Sequence, residues 1–183
     1  MRVNVHDFED KKLGKVVPYR VYDVTANAGF VTVGITSDTT EFAVQSIRCW
    51  RERMGRAHYP HAHELTITAD CGGSNGARVP LWKVELQKLA DETGLVIHAH
   101  HYPPGTSKWN KIEHRLFCHI IQNWRGRPLT NRLAVVELSG ATKTKTGLKV
   151  ESALDTRTHR KGIKVSKAQM KSLDITGDQF HPE

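Results

Sequence analysis

The chain has 183 residues, 38% of them apolar and 25% charged, enough to bury one domain's core and too apolar for wholesale disorder. Its 27 lysines and arginines against 19 acids leave a formal charge of +8, which favours a polyanion, nucleic acid foremost; a basic enzyme with no such partner is the plainer alternative. No apolar run reaches the ~18 residues of a membrane span. The stretch Met1-Arg2-Val3-Asn4-Val5-His6-Asp7 holds no apolar signal core, and Cys49, Cys71 and Cys118 form no CxxC pair, so a cytoplasmic chain with reduced thiols is expected.

Residues 19–24 and 29–35 are rich in β-branched and aromatic side chains, and Thr25-Ala26-Asn27-Ala28 between them has turn chemistry, which predicts an antiparallel hairpin. Asp38, with Glu41 three residues on, predicts a helix N-cap with a capping box. Ala43, Ile47, Trp50 and Met54 then form one apolar stripe, and Gly55 marks the stop. A third strand over residues 65–70 runs into the loop Cys71-Gly72-Gly73-Ser74-Asn75-Gly76. Pro80 opens a helix lined by Trp82, Leu86 and Leu89 and closed by Thr93-Gly94. Residues 95–99 are a short apolar strand. Past the breaker Tyr102-Pro103-Pro104-Gly105, Ile112, Leu116 and Ile120 mark a third helix ending near Gly126, with a fourth over residues 131–138. The tail reads as a basic loop or strand over residues 142–150 and a short capped segment over residues 166–173. This order predicts an α/β fold, a mixed sheet with helices packed on its faces.

Chemistry concentrates at two points. Asp70 ends a strand, where open α/β sheets place their ligands, and Glu113 lies in the first turns of the helix entered from the next strand. The helix between the two strands is a crossover that makes them neighbours, so their downstream ends converge. Carboxylates there are hard oxygen ligands for divalent cations, and paired ions of this kind activate water or a 3′-hydroxyl in phosphodiester chemistry. Taken singly, each acid has a plainer role: Asp70 shaping the Gly-rich turn, Glu113 facing a helix N-terminus.

The string Tyr102-Pro103-Pro104-Gly105-Thr106-Ser107-Lys108-Trp109-Asn110-Lys111-Ile112-Glu113-His114 resembles the signature of mariner-like DDE/D transposases. Together with Ile67-Thr68-Ala69-Asp70, Gly72-Gly73-Ser74-Asn75-Gly76, Leu81-Trp82-Lys83-Val84-Glu85-Leu86-Gln87, Asn123-Trp124-Arg125-Gly126 and Gly162-Ile163-Lys164-Val165-Ser166, it is more similar still to bacterial insertion-sequence transposases of the Rhodopirellula type. The likeness covers essentially the whole chain. It implies an RNase H-like fold, a DDE catalytic domain over residues 1–140 with a basic extension over residues 141–183, and Asp70 and Glu113 as the second and third acids of the triad. It further implies two Mg²⁺ or Mn²⁺ ions in the intact enzyme, DNA ends and target as partners, a further copy of the chain as a second partner, and a cytoplasmic, nucleoid-associated bacterial protein with no membrane.

In such folds the first acid stands on the first, central strand, in an Asp-Thr-Lys-Lys-like context that this chain does not contain. The expectation is therefore an N-terminally truncated domain lacking that strand, with impaired activity. Asp23, on the first hairpin strand, and Asp7, if residues 2–8 form a strand, are the substitutes to weigh; a hairpin hydrogen bond is the plainer role for Asp23. A non-catalytic DNA-binding remnant and an RNase H-like nuclease are the alternative functions. Lys108, Lys111, Arg115, Arg125, Arg127, Lys143, Lys145 and Lys149 are the expected phosphate contacts. His58, His61 and His63 read as a solvated loop rather than a zinc tract, and one of His98, His100 and His101 is a candidate for the site's lining. Trp50 and Trp82 fit apolar stripes. Trp109 and Trp124 are read as packing residues, with stacking on DNA as the alternative.

Overall fold

The computed structural model describes residues 16–129 and 131–177. The predicted hairpin is present: β1 (Val17–Asp23) pairs antiparallel with β2 (Ala28–Gly34), in register from Val17↔Gly34 to Asp23↔Ala28. The turn closes because the Asp23 carboxylate accepts from the N–H groups of Thr25 and Ala26, at 3.0 and 2.9 Å, and Asn27 takes the left-handed φ of 49°. All seven residues of β2 are buried, as a strand covered on both faces requires. Its second neighbour is β5 (Lys149–Asp155), which runs parallel to it from Ala28↔Lys149 to Gly34↔Asp155. The sheet order is β1-β2-β5; the stretch 142–150, expected as a basic loop or strand, is mostly loop, and the strand that joins the mixed sheet starts only at its last two residues and runs on to Asp155.

Helices cover this sheet on both faces. On one, α1 (Thr40–Trp50) sets Ala43, Val44 and Ile47 against Trp82, Leu86 and Leu89 of α3 (Pro80–Thr93), while Trp50 and Met54 meet Ala28 and Phe30. On the other, Leu116, together with Ile120 and Trp124 of α4 (Cys118–Trp124) and Val135 of α5 (Arg132–Gly140), packs on Val31, Val33, Leu148 and Val150. A short α6 (Lys167–Lys171) lies in the expected capped segment, and its cap is a capping box in which Ser166 and Gln169 bond reciprocally.

Two predicted helix boundaries differ. Thr39, not Asp38, caps α1, its hydroxyl accepting from the Phe42 N–H at 3.3 Å. Asp38 instead accepts from the Ser74 hydroxyl at 2.8 Å and so anchors the Gly-rich loop. The chain also does not stop at Gly55. It widens into a π-helical turn over Arg51–Gly55 and ends in the single turn α2 (Arg56–His58), with Gly55 itself in ordinary helical geometry at φ −61°. A glycine ends a helix when it adopts the left-handed conformation, as Gly94 does after α3 at φ 68°. A second π-helical turn, Glu113–Phe117, leads into α4.

β3 (Glu64–Ala69) and β4 (Val96–His101) pair parallel with each other through the α3 crossover, in register from Glu64↔Val96 to Ala69↔His101. They form a separate two-stranded sheet, and β1 does not pair with β3. A cleft of about 590 Å³ lies between these two strands. The fold is mixed α/β, a mixed sheet with flanking helices, compatible with the RNase H-like expectation.

The end of β5 is pinned by Asp155, which is 4% exposed. Its carboxylate accepts from the Arg157 backbone N–H and Nε, at 3.0 and 2.9 Å, and lies 3.0 Å from His159 Nε2. Burial on its own raises this carboxyl's pKa; the His159 and Arg157 hydrogen bonds outweigh it and hold it below the ordinary value. A carboxyl whose pKa is lower folded than unfolded stabilises the fold above the unfolded pKa and loses that contribution as pH falls through the folded one. Asp155→Asn is therefore expected to cost ~1–3 kcal/mol at neutral pH in urea unfolding. Below about pH 4 the unmodified chain should lose stability more steeply than the variant; parallel pH profiles would contradict this.

Candidate active site

Asp70 follows the last residue of β3 and is solvent-exposed. Glu113 opens the π-helical turn that leads into α4 and is half-buried. Both line the cleft between β1 and β3. What joins them is Asn110, only 8% exposed. Its Nδ2 donates to Asp70 Oδ1 at 3.0 Å, while its Oδ1 accepts from the Ile112 N–H at 3.3 Å. Its backbone carbonyl accepts from the Glu113 N–H at 3.2 Å. One carboxamide thus caps the helix start, as asparagine does at N-caps, and holds the strand-end carboxylate. Cys71 adds a second tie between the loops, its thiol donating to the Tyr102 carbonyl at 2.9 Å.

Tyr19 and Arg20, from the early part of β1, complete this end of the cleft. Burial pushes the Tyr19 phenol above its ordinary value; the hydrogen bond from Asn75 Nδ2, at 3.2 Å, works the other way, and the negative charges of Asp38 and Asp70 add to the rise. Burial lowers the Arg20 pKa, and the nearby Glu113 charge opposes that fall. The Arg20 guanidinium lies over the Phe117 ring, 4.6 Å from its centroid, and 5.7 Å from that of Trp124. Asn110, Tyr19 and Arg20 were not among the site residues read from the sequence. The cap position of Asn110 just ahead of the helix was the one available signal.

Asp23 also lines the cleft but at its far end, ~13 Å along β1 from Tyr19 at about 3.3 Å per residue. Both its oxygens accept from the Tyr59 hydroxyl at 2.9 Å, in addition to the two turn N–H bonds. It is 8% exposed and committed to the hairpin, so the substitute reading for it gives way to the plainer one. Asp7 lies outside the described residues.

Of the histidines, His101 faces the Asn75 carbonyl at 2.8 Å and steadies the Gly-rich loop, whereas His98 and His100 are exposed. His58, His61 and His63 are exposed, as a solvated loop would be. Trp50 and Trp82 are core residues at 6% and 2% exposure; Trp124 is buried at 8%, and Trp109 stands out at 58%. Lys108, Lys111, Arg115, Arg125, Arg127, Lys143, Lys145 and Lys149 are all exposed, and Lys111 borders the cleft beside Glu113.

Asp70 and Glu113 offer the hard oxygen donors that Mg²⁺ or Mn²⁺ prefers. Their number falls short: among the described residues no three or more His, Cys, Asp or Glu side chains form a group able to hold a metal ion. The acids on the cleft match a two-ion site in kind and not in count.

Because Asn110 serves two elements at once, Asn110→Ala is expected to cost ~1–2 kcal/mol in urea unfolding. Asp70→Asn, at an exposed position, should cost under ~0.5 kcal/mol. The reverse order would contradict the bridging role.

No curated protein and no solved structure matches the chain. The model of one family, described as the Rhodopirellula transposase DDE domain, matches residues 1–183, and the chain belongs to that family.

Proposed function

We propose that the chain is the catalytic part of a transposase that cleaves a DNA phosphodiester and joins the freed 3′-hydroxyl to target DNA, with Asp70 and Glu113 supplying two of three acidic ligands. The observation that carries this reading is the shared cleft, where a strand-end acid and a helix-start acid are tied through Asn110. A divalent ion of the Mg²⁺ or Mn²⁺ type supplies activation of the attacking oxygen and charge neutralisation at the departing one. The chain's own residues orient and bind. Asn110 keeps the Asp70 carboxylate turned toward the helix start, and the exposed Lys108, Lys111 and Arg115 nearby are assigned to phosphate oxygens. Arg125, Arg127, Lys143 and Lys145 are assigned to more distant phosphates, as sequence-independent contacts. With Asp70 and Glu113 as the two acids tied at this end of the cleft, activity is expected to be impaired.

A second reading, a protein that binds DNA without cutting it, is favoured by the short donor set among the described residues. End-labelled linear duplex DNA with Mn²⁺ separates the two. Binding should weaken with salt, and replacing Lys108, Lys111 and Arg115 by alanine should flatten the log–log salt slope by about 0.9 per lost contact. Weak Mn²⁺-dependent cutting, lost in Asp70→Asn and Glu113→Gln with binding unchanged, supports the transposase reading. Binding with no cutting supports the second, and no salt-dependent binding contradicts both.

A further inference from the structure

A dense run of positive charge lies outside the cleft, in the segment that follows β5. No Asp or Glu stands between Asp155 and Asp174, while Arg157, Arg160, Lys161, Lys164, Lys167 and Lys171 lie there and are all exposed. Arg157 ion-pairs with Asp155 at 2.9 Å. Among the described residues the other five have no ion-pair partner, whereas on α1 and α3 Arg48 pairs with Glu92 and Lys88 with Glu85, both at 2.6 Å.

A charged segment left to itself spreads through self-repulsion. This one is pinned at both ends. At its start the His159 N–H donates to the Thr36 hydroxyl at 3.3 Å, and the His159 ring packs on Phe42 with centroids 5.3 Å apart. The Arg160 N–H donates to Glu41 Oε2, in the first turn of α1, at 3.3 Å. Beyond α6, the Asp174 N–H donates to Gln87 Oε1 of α3 at 3.1 Å. Residues 157–171 thus form a basic strap laid from α1 to α3. Its first pin adjoins the candidate active site, because the Thr40 hydroxyl of α1 donates to the Ser74 carbonyl at 2.6 Å, in the Gly-rich loop that follows Asp70. The strap lies with α1 and α3, which pack in one cluster; α4, with Arg115 before it and Arg125 after it, packs in the cluster on the other face of the sheet.

We infer that this strap is a second DNA-binding surface, which grips the phosphate backbone of a duplex without reading its sequence, on the face opposite the cations around α4. Each strand of a duplex presents a phosphate every ~3.4 Å along the axis, so cations recurring every three or four residues each find one. The strap has nothing to read or stack bases with. No Phe, Trp or Tyr lies between Thr156 and Leu173, and the His159 ring is spent on Phe42, so single-stranded bases find no platform. Gln169, whose amide is of the kind that reads adenine, is committed to the cap of α6. The inference takes its substrate class from the proposed function and goes beyond it by giving the chain two duplex contacts, as joining one DNA to another requires.

The test measures anisotropy of a short labelled duplex of arbitrary sequence with the full chain, in EDTA so that no strand is cut. One variant replaces Lys161, Lys164, Lys167 and Lys171 by glutamine; another replaces Lys108, Lys111 and Arg115 by alanine. The strap variant should keep its urea midpoint, flatten the log–log salt slope by about 0.9 per lost contact and bind roughly tenfold or more weakly at low salt. In the unmodified chain the duplex should shield the same four lysines from acetylation, a readout that stands even if the variant fails to fold. An unchanged slope in a folded strap variant, or acetylation of the four lysines unaffected by duplex, overturns the strap. So does poly-glutamate of equal charge shielding them as well as the duplex does, which would make the strap a site for acidic protein. A slope lost only in the Lys108, Lys111 and Arg115 variant overturns the strap and leaves the proposed function standing. A slope lost only in the strap variant upholds the strap and removes the phosphate role of those three residues. No binding by the unmodified chain overturns both.

Discussion

The Asn110 carboxamide is the joint on which the site depends. A strand end and a helix start are independent pieces of backbone unless something of fixed length connects them. Asn110 does so from a buried position, its nitrogen on Asp70 and its oxygen on the Ile112 N–H. The loop is further braced by the Cys71 thiol on Tyr102 and by His114, whose Nε2 lies 3.1 Å from the Lys108 carbonyl. Two acids remote in sequence therefore share one cleft because four short polar contacts fix the loops that carry them.

The scaffold behind this joint is uneven. β2 is buried on both faces, with a parallel neighbour on one side and an antiparallel one on the other. The β3–β4 pair has no such support: Glu64, Thr66 and Thr68 are exposed along one face, as are Val96, His98 and His100. α1 and α3 link the two parts through the Ile47–Trp82–Leu89 cluster, while among the described residues the backbone ladder stops at β1 and resumes at β3. Side-chain packing and the Asn75–Tyr19 and Tyr59–Asp23 hydrogen bonds hold the halves together where the backbone ladder does not.

The hairpin, the α1 stripe, the Pro80 start, the Gly94 stop and the Ser166 cap were all legible, because each is written in local residue chemistry. The π-helical continuation through Gly55 was not, since a glycine in helical geometry carries no stop signal. Nor was the choice of Thr39 over Asp38 as the cap, which depends on Ser74, distant in sequence, drawing the aspartate away. The parallel pairing of β5 with β2 joins segments far apart in the chain, and no periodicity encodes such a partner. Asp70 and Glu113 could be singled out because strand ends and helix starts are where α/β folds gather chemistry. Asn110 carried only its cap position and its place in the transposase-like string, because its bridging role exists only once both loops are in place. Asp23 looked eligible in the sequence and is spent on its own turn and on Tyr59.

The most direct measurement is a double-mutant cycle on Mn²⁺ affinity with the full chain, using Asp70→Asn, Glu113→Gln and the pair together, read by titration calorimetry. If the two acids face one point in the cleft, either single change removes most of the binding and the double change adds little, a strongly non-additive result. Independent, additive losses would mean that the two carboxylates do not share a ligand position, and the account would fail at its centre.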